Sequence, residues 1–404
     1  MPKHCIDQSA HPLRALLTGP RNHNRFRARG VYTDVGEINI YKLGGKVLHS
    51  ASGSNNIPDL SERFVSKMGA HRRDIIVVSA YGSDTEARRL RASESGIRPE
   101  STIPAKSEYS ELAQRVRESY GDQGNLAAFS SNWATNQQTP TDNIVGSMSL
   151  IEFNVLSSVM ADYHRAMDCF LLLGEQDSAI LMEQAIAAVI KRHELGFNAS
   201  SITFRQRTFP IIAEPGQYGN ADISWADSLQ HTVYMLMEHN KNNALILPGF
   251  GGKVLRPHKC AELATFGKGG SDYTATVVAL VVATILFWQR IFLESAKLSE
   301  LDAKLKSMEP DKLIGLRELV APVTLKLVKD TGGVFQADPK KSEHATPIDS
   351  IPLGELAGVP GIDQLIQAKA REALLKHWTP HLNFNVMVVG MDSLDTPGTI
   401  ITRT

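Results

Sequence analysis

Residues 265–274 read Thr-Phe-Gly-Lys-Gly-Gly-Ser-Asp-Tyr-Thr and run straight into an apolar stretch. Glycine lets backbone N–H groups approach an anion's oxygens closely, and the start of a helix favours negative charge. The amides of Gly267, Gly269 and Gly270, together with Lys268, can therefore surround a phosphate-like group. Ser271 or Asp272 can cap the helix that follows. A cap with no other task would not need Gly-Lys-Gly-Gly before it. Three more glycine loops share this setting: Lys42-Leu43-Gly44-Gly45-Lys46, Ser79-Ala80-Tyr81-Gly82-Ser83-Asp84-Thr85, and Pro248-Gly249-Phe250-Gly251-Gly252. Lys42 can reach a transferring phosphoryl group, and the hydroxyls of the second loop can hold an acceptor. Each of these three, alone, also fits an ordinary turn after a strand. No G-x-x-x-x-G-K-[ST] run, H-E-x-x-H pair, EF-hand loop or C-x-x-C spacing occurs.

The elements that must carry these loops follow from periodicity. Residues 38–43 (INIYKL) read as a strand that runs into Gly44-Gly45. Residues 74–80 (DIIVVSA) form a β-branched run suited to a buried parallel strand. Further strands are expected at 201–204, near 210–213, at 244–247, 323–328 and 384–389. Helical spacing covers 146–170, 176–195, 227–239 and 273–290, with a polar loop leading into the last of these. Residues 87–145 read as loops with a short helix, and 291–322 as a charged helical hairpin broken at Pro310 and Pro322. Residues 1–35 read as an irregular arm. Strands alternating with helices predict an α/β layered fold with a mostly parallel sheet. In such sheets ligands bind beyond the carboxyl ends of the strands, where the glycine loops fall.

Composition narrows the partners. Lys plus Arg and Asp plus Glu number 43 each in 404 residues, so no global basic field points to nucleic acid. The most apolar stretch, Ala275 to Trp288, falls short of the roughly 20 residues a bilayer requires and reads as a buried helix, not a membrane span. Cys5, Cys169 and Cys260 match no metal or disulfide spacing, and the N-terminus lacks a signal-peptide apolar run. A reducing cytoplasm is the simplest compartment.

The segment from Ala264 to Ala275 (ATFGKGGSDYTA) resembles the T-T-L-G-R-G-G-S-D-Y-T-A segment of aspartate kinases, within the amino-acid kinase family. The other loops then resemble that family in order. YKLGGK is similar to its K-F-G-G-T-S, VVSAYGSDTE to its V-V-S-A-x-x-G-x-T-D/N, and PGFGGK to its T-G-F-x-G. Leu173-Gly174-Glu175 with Ser178 resembles G-E-x-x-S, VKDTGGVFQADPKK resembles W-T-D-V-x-G-V-Y-T-A-D-P-R, and TPGTIIT resembles P-G-T-L-I. The matches run from about residue 37 to 402 and cover most of the chain.

The resemblance implies a three-layer α/β/α sandwich with a mostly parallel central sheet, and transfer of the γ-phosphoryl of ATP, with Mg²⁺, onto the side-chain carboxylate of aspartate. It implies one catalytic domain over 36–404, with an acceptor part at about 36–240, a nucleotide part at about 241–404 and a helical insertion at 291–322. Lys42, Asp222 and Lys268 take catalytic roles. Lys42, Gly44, Gly45, Gly267, Gly269, Gly270, Asp330, Phe335, Lys340 and Lys369 bind the nucleotide. Ser79, Thr85, Glu175, Ser271 and Asp272 hold the acceptor, and no protein-caged metal is expected. Kinases of this kind often form homodimers. Four departures stand out. Lys46-Val47 replaces the family's Thr-Ser. The Gly219-Asn220-Ala221-Asp222 stretch lacks the Arg that many aspartate kinases place there, although Arg205 and Arg207 are near in sequence. Residues 291–322 look inserted. The chain stops where ACT domains usually follow, so no feedback control by lysine or threonine through such domains is expected.

Overall fold

The structure is a computed structural model. It describes residues 35–48, 55–69, 71–80, 175–176, 178–193, 195–204, 206–214, 220–255, 262–267, 269–294, 315–330, 332–337, 342, 345–359, 366–396 and 398–403. Residues 1–34 of the expected arm, the elements at 87–145 and 146–170, and most of the 291–322 hairpin lie outside these residues.

Thirteen strands are described, β1 (Glu37–Leu43), β2 (Arg72–Val78), β3 (Ala199–Ser201), β4 (Ile212–Ala213), β5 (Ala244–Pro248), β6 (Gly251–Val254), β7 (Glu262–Thr265), β8 (Val323–Lys329), β9 (Val334–Phe335), β10 (Pro347–Ile348), β11 (Ser350–Pro352), β12 (Phe384–Gly390) and β13 (Thr399–Thr402). Eight of them form one sheet in the order β11-β13-β12-β8-β1-β2-β5-β3. From β3 across to β12 every neighbouring pair is parallel; β13 runs antiparallel to β12.

Alternation along these strands sends side chains to two different cores. Ile38 and Ile40 of β1, Ile75 and Val77 of β2, Leu245 and Leu247 of β5, and Leu325 and Leu327 of β8 face one core. Helix α5 (Gly270–Glu294), with α4 (Trp225–Glu238) and α6 (Ala368–His377), covers that face. Tyr41, Leu43, Ile76, Val78, Ile246 and Val328 face the other, under α1 (Gly45–Leu48), α2 (Ile57–Lys67) and α3, residues 178–193. The three layers of an α/β/α sandwich result.

Four details differ from the sequence reading. Helix α5 begins three residues before 273 and runs for 25 residues, so it has the length and apolarity to cross a membrane. It is 94% buried over its most apolar window and serves as the central core helix. The strand expected at 201–204 is instead Ala199–Ser201, because the ladder to β5 begins earlier and the chain turns at Phe204. β2 closes at Val78, leaving Ser79 and Ala80 beyond the strand. Part of the polar loop expected before α5 is a hairpin, β6 with β7, which joins β4 in a small second sheet.

Candidate active site at the carboxyl edge of the sheet

β1 delivers Lys42 to the sheet's carboxyl edge. Lys42 shares a face with Ile38 and Ile40, so it points towards α5 rather than α2. Its side chain is only 9% exposed, and its ammonium lies 2.9 Å from Asp272 Oδ1 in the first turn of α5. From β8, Lys329 Nζ approaches the same oxygen at 3.8 Å. The β1–β8 register pairs Lys42 with Leu327, which puts Lys42 and Lys329 on one face. Burial alone would push the Asp272 carboxyl up, but the Lys329 and Lys42 ammoniums hold it below its ordinary value. Burial pushes the Lys329 ammonium down to about 8 against the pull of Asp272; Lys42 adds to the fall and Asp330 opposes it.

The glycine loops close around this cluster. Gly267 and Gly269 have φ of 77° and 79°, a left-handed conformation that side chains resist, and the Gly270 N–H donates back to the Gly267 carbonyl at 3.0 Å. A Cβ on Gly270 would sit 2.9 Å from the Phe250 backbone, so the two loops pack main chain against main chain. A Cβ on Gly249 would lie 2.5 Å from Ser271 Cβ and 2.9 Å from Glu175 Oε2. Ser79 Oγ and Ser271 Oγ are hydrogen-bonded at 2.7 Å. The ladder continues past the strand ends, with the Ser79 N–H donating to Leu43 O and the Gly249 N–H to Val78 O, each at 2.9 Å. Gly390, Lys329, Gly44, Ser79 and Gly249 therefore stand side by side at one level across β12, β8, β1, β2 and β5. This row of small residues forms a shelf beneath the first turn of α5. At Gly44 an added Cβ would meet only the Lys42 ammonium, at 3.4 Å, whereas Ser271 fills the space over Gly249.

Ser271 and Asp272 do not cap α5, as the sequence reading allowed. The helix starts at Gly270, and both side chains lie inside the first turn, turned to Ser79 and to the two lysines. Glu175 is buried beside Gly249 and Ser271. The structure thus brings together Lys42, Gly44, Ser79, Glu175, Gly267, Gly269, Gly270, Ser271 and Asp272. Gly45 opens α1 just beyond. Asp330 follows Lys329 and is exposed, and Phe335 is half-buried in β9. Lys369 and Asp222 form a separate group: Lys369 Nζ lies 3.1 Å from Asp222 Oδ1 and donates to the carbonyls of Asn220 at 3.0 Å and Ala221 at 2.8 Å. Its ammonium sits over the Tyr273 ring, which ties this group to the start of α5. Thr85, Lys268 and Lys340 lie outside the described residues. Sequence reasoning missed Lys329, although a strand-end lysine followed by Asp-Thr-Gly-Gly carries much the same signal as Lys42 before Gly-Gly. Among the described residues no three His, Cys, Asp or Glu side chains gather as a metal site.

Residues 37–288 match the amino acid kinase family. Aspartokinase 3, chloroplastic, of Arabidopsis thaliana is 28% identical over 198 residues, which are 48% of this chain and 26% of the plant protein. The crystal structure of E. coli aspartokinase III in complex with aspartate and ADP aligns at a TM-score of 0.50 and 15% identity, covering 90% of this chain and 64% of that one. An aspartate kinase from Synechocystis aligns at a TM-score of 0.46 and 16% identity, over 91% of this chain and 40% of its own. The chain thus spans about a quarter of the plant relative and under two thirds of the E. coli enzyme. The family match covers well over half of the sequence, and the parallel sheet with its glycine-lined edge agrees with it: the chain belongs to the amino acid kinase family.

Proposed function

We propose that the protein is an ATP-dependent phosphotransferase whose acceptor is a carboxylate, and that the acceptor is L-aspartate, giving ADP and 4-phospho-L-aspartate at the entry to aspartate-family amino-acid biosynthesis in the cytoplasm. The observation that carries this reading is the shelf of small residues under Asp272, with Lys42 held 2.9 Å from that carboxylate. An acceptor carboxylate is already a nucleophile, so the reaction needs alignment and charge neutralisation more than a base. Lys42 and Lys268 stabilise charge on the transferring group, assisted by the amides of Gly44, Gly45, Gly267, Gly269 and Gly270. Asp272 orients Lys42. Ser79, Thr85, Glu175 and Ser271 hold the acceptor, and Asp222, gripped by Lys369, closes its side of the site. Asp330, Phe335 and Lys340 line the nucleotide. Mg²⁺ would arrive with the nucleotide, whose phosphates supply most of its oxygens. On this reading residues of about 36–240 serve the acceptor and about 241–404 the nucleotide.

A second reading keeps the chemistry and changes the acceptor. Its support is the Gly219-Asn220-Ala221-Asp222 stretch, which offers no Arg to grip an α-carboxylate in bidentate fashion. One assay separates the two. Purified protein is incubated with Mg-ATP and a panel of amino acids and other carboxylates, and acyl phosphate is trapped with hydroxylamine. Signal with aspartate alone supports the first reading and signal with another acid the second. ATP binding without turnover on any acceptor refutes both. Lys42→Ala abolishes turnover and leaves the fold intact; retained activity removes Lys42 from the chemistry.

A further inference from the structure

We propose that Lys329 is a further phosphoryl-contacting cation, a catalytic residue that works beside Lys42 on the group being transferred. The inference rests on the phosphotransfer reading above and extends it to a side chain that reading does not use. Lys42 and Lys329 come from neighbouring parallel strands, lie on the same face, and converge on a single oxygen, Asp272 Oδ1, at 2.9 Å and 3.8 Å. Their side chains are only 9% and 11% exposed.

Two like charges gathered around one carboxylate repel each other, and little solvent is present to screen them. Lys42 is the closer partner, and Lys329 brings a second ammonium to the same oxygen, so the pair carries more positive charge than one carboxylate neutralises. A phosphoryl group, with more oxygens and more charge than a carboxylate, matches two ammoniums. The shelf says where that anion lies. In the row Gly390, Lys329, Gly44, Ser79, Gly249, four members are glycine or serine, and Lys329 is the one long side chain. It rises beside Gly44, where an added Cβ would meet only the Lys42 ammonium, at 3.4 Å. In the segment VKDTGG, moreover, Lys329 stands where the family pattern W-T-D has threonine.

During transfer, the bond from the γ-phosphorus to the bridging oxygen breaks as an acceptor carboxylate oxygen forms the new P–O bond. ADP leaves with the bonding pair and no proton moves. Charge spreads over the three equatorial oxygens, and two ammoniums on one side of them are placed to share it.

The test measures binding as well as turnover. The full chain is titrated with ATP and separately with ADP by calorimetry, wild type beside K329M and K329R. K329M is expected to weaken ATP about tenfold and ADP less than about threefold, because only ATP carries the contacted group. Its turnover falls about 10²-fold with acceptor KM little changed, and K329R restores most of both. Equal losses for ATP and ADP, or a lowered melting temperature with binding intact, make Lys329 a structural counter-ion of Asp272 and overturn the proposal. Should K329M fail to fold, K329R decides. Wild-type ATP affinity declines as pH rises through about 8, where Lys329 loses its proton amid Asp272, Lys42 and Asp330. Arginine stays charged there, so K329R keeps its affinity; a parallel decline refutes the role. ATP-selective binding that depends on Lys329 in a protein that phosphorylates no acceptor sinks the phosphotransfer reading alone.

Discussion

Gly249→Ala tests whether the site depends on the close approach of two backbones. An alanine Cβ there would lie 2.5 Å from Ser271 Cβ, 2.8 Å from Ser271 Cα and 2.9 Å from Glu175 Oε2. Carbon atoms rest at about 3.5–4.0 Å, so β5 and α5 must part by about 1 Å. Neither side yields easily. The Gly249 N–H is pinned to Val78 O at 2.9 Å, and Ser271 belongs to a 25-residue helix that fills the core. What gives way is the contact between them, the 2.7 Å Ser79–Ser271 hydrogen bond and the 2.9 Å Lys42–Asp272 pair. Overpacking costs about 1–3 kcal/mol and the lost hydrogen bond about 1 more. The sum, roughly 2–4 kcal/mol, lowers the melting temperature of a chain this long by roughly 2–5 °C. Displacement of the site by about 1 Å lowers turnover by about 10²-fold. Gly69→Ala is the control: a Cβ there meets nothing within 4 Å, and stability should stay within about 0.5 kcal/mol. Thermal unfolding and the hydroxylamine assay read both variants. If G249A melts and turns over like wild type, the approach of β5 to α5 does not set the site.

Two further predictions concern stability. Thr399 is fully buried, its hydroxyl accepting from the Val334 N–H at 2.8 Å and donating to Ile348 O at 2.6 Å; Thr399→Val orphans both groups at about 1–3 kcal/mol each, read by denaturant titration. Burial pushes His377 and His381 down to about 4, so their contribution is complete above about 6.5 and is lost as pH falls towards 4, while burial raises Asp74 to about 6, so its effect runs the other way, favouring the fold at low pH. Replacing both histidines by Asn should leave stability falling as pH rises from about 4 to 6; an unchanged pH slope in the variant refutes the assignment.

Much of the frame was legible because buried parallel strands advertise themselves. The runs at 38–43, 74–80, 244–247, 323–328 and 384–389 each overlap an observed central strand, and the 273–290 stretch lies within α5. The β6–β7 hairpin was hidden because Gly-Gly-Lys-Val and Glu-Leu-Ala-Thr are short and mixed, and their pairing rests on backbone hydrogen bonds. Helix α2 carried usable signals, Pro58 in its first turn and Ile57, Leu60 and Phe64 on one face, which the sequence reading did not assign. The loops that converge were recognisable from glycine spacing. What each side chain touches was not. Ser271 and Asp272 look like caps in one dimension, and only the strand register turns them into partners of Ser79, Lys42 and Lys329. Lys369 is similar: its grip on Asp222 joins positions 147 residues apart (369 minus 222), a pairing that no local pattern encodes.

The same alternation that builds the core also builds the site. On the α5 face, β1 reads Ile38, Ile40, Lys42 and β8 reads Leu325, Leu327, Lys329. β2 reads Ile75, Val77 and then Ser79, and β5 reads Leu245, Leu247 and then Gly249. In each case two apolar residues precede the last residue on that face, which turns cationic, hydroxylic or bare. α5 matches this order, with Ser271 and Asp272 over the polar tips and an apolar body over the rest. The lysines thus sit at the boundary where apolar packing ends, deep enough to lose much of their hydration and close enough to the edge for a phosphate to replace it. One residue further in, the ammoniums would have no ligand to meet. One residue further out, water would screen them. A shift of register by one residue would exchange this face for the α2 face and bury both lysines among Leu60 and Phe64. The hydrophobic pattern that fixes the register therefore also fixes the position of the paired lysine charge.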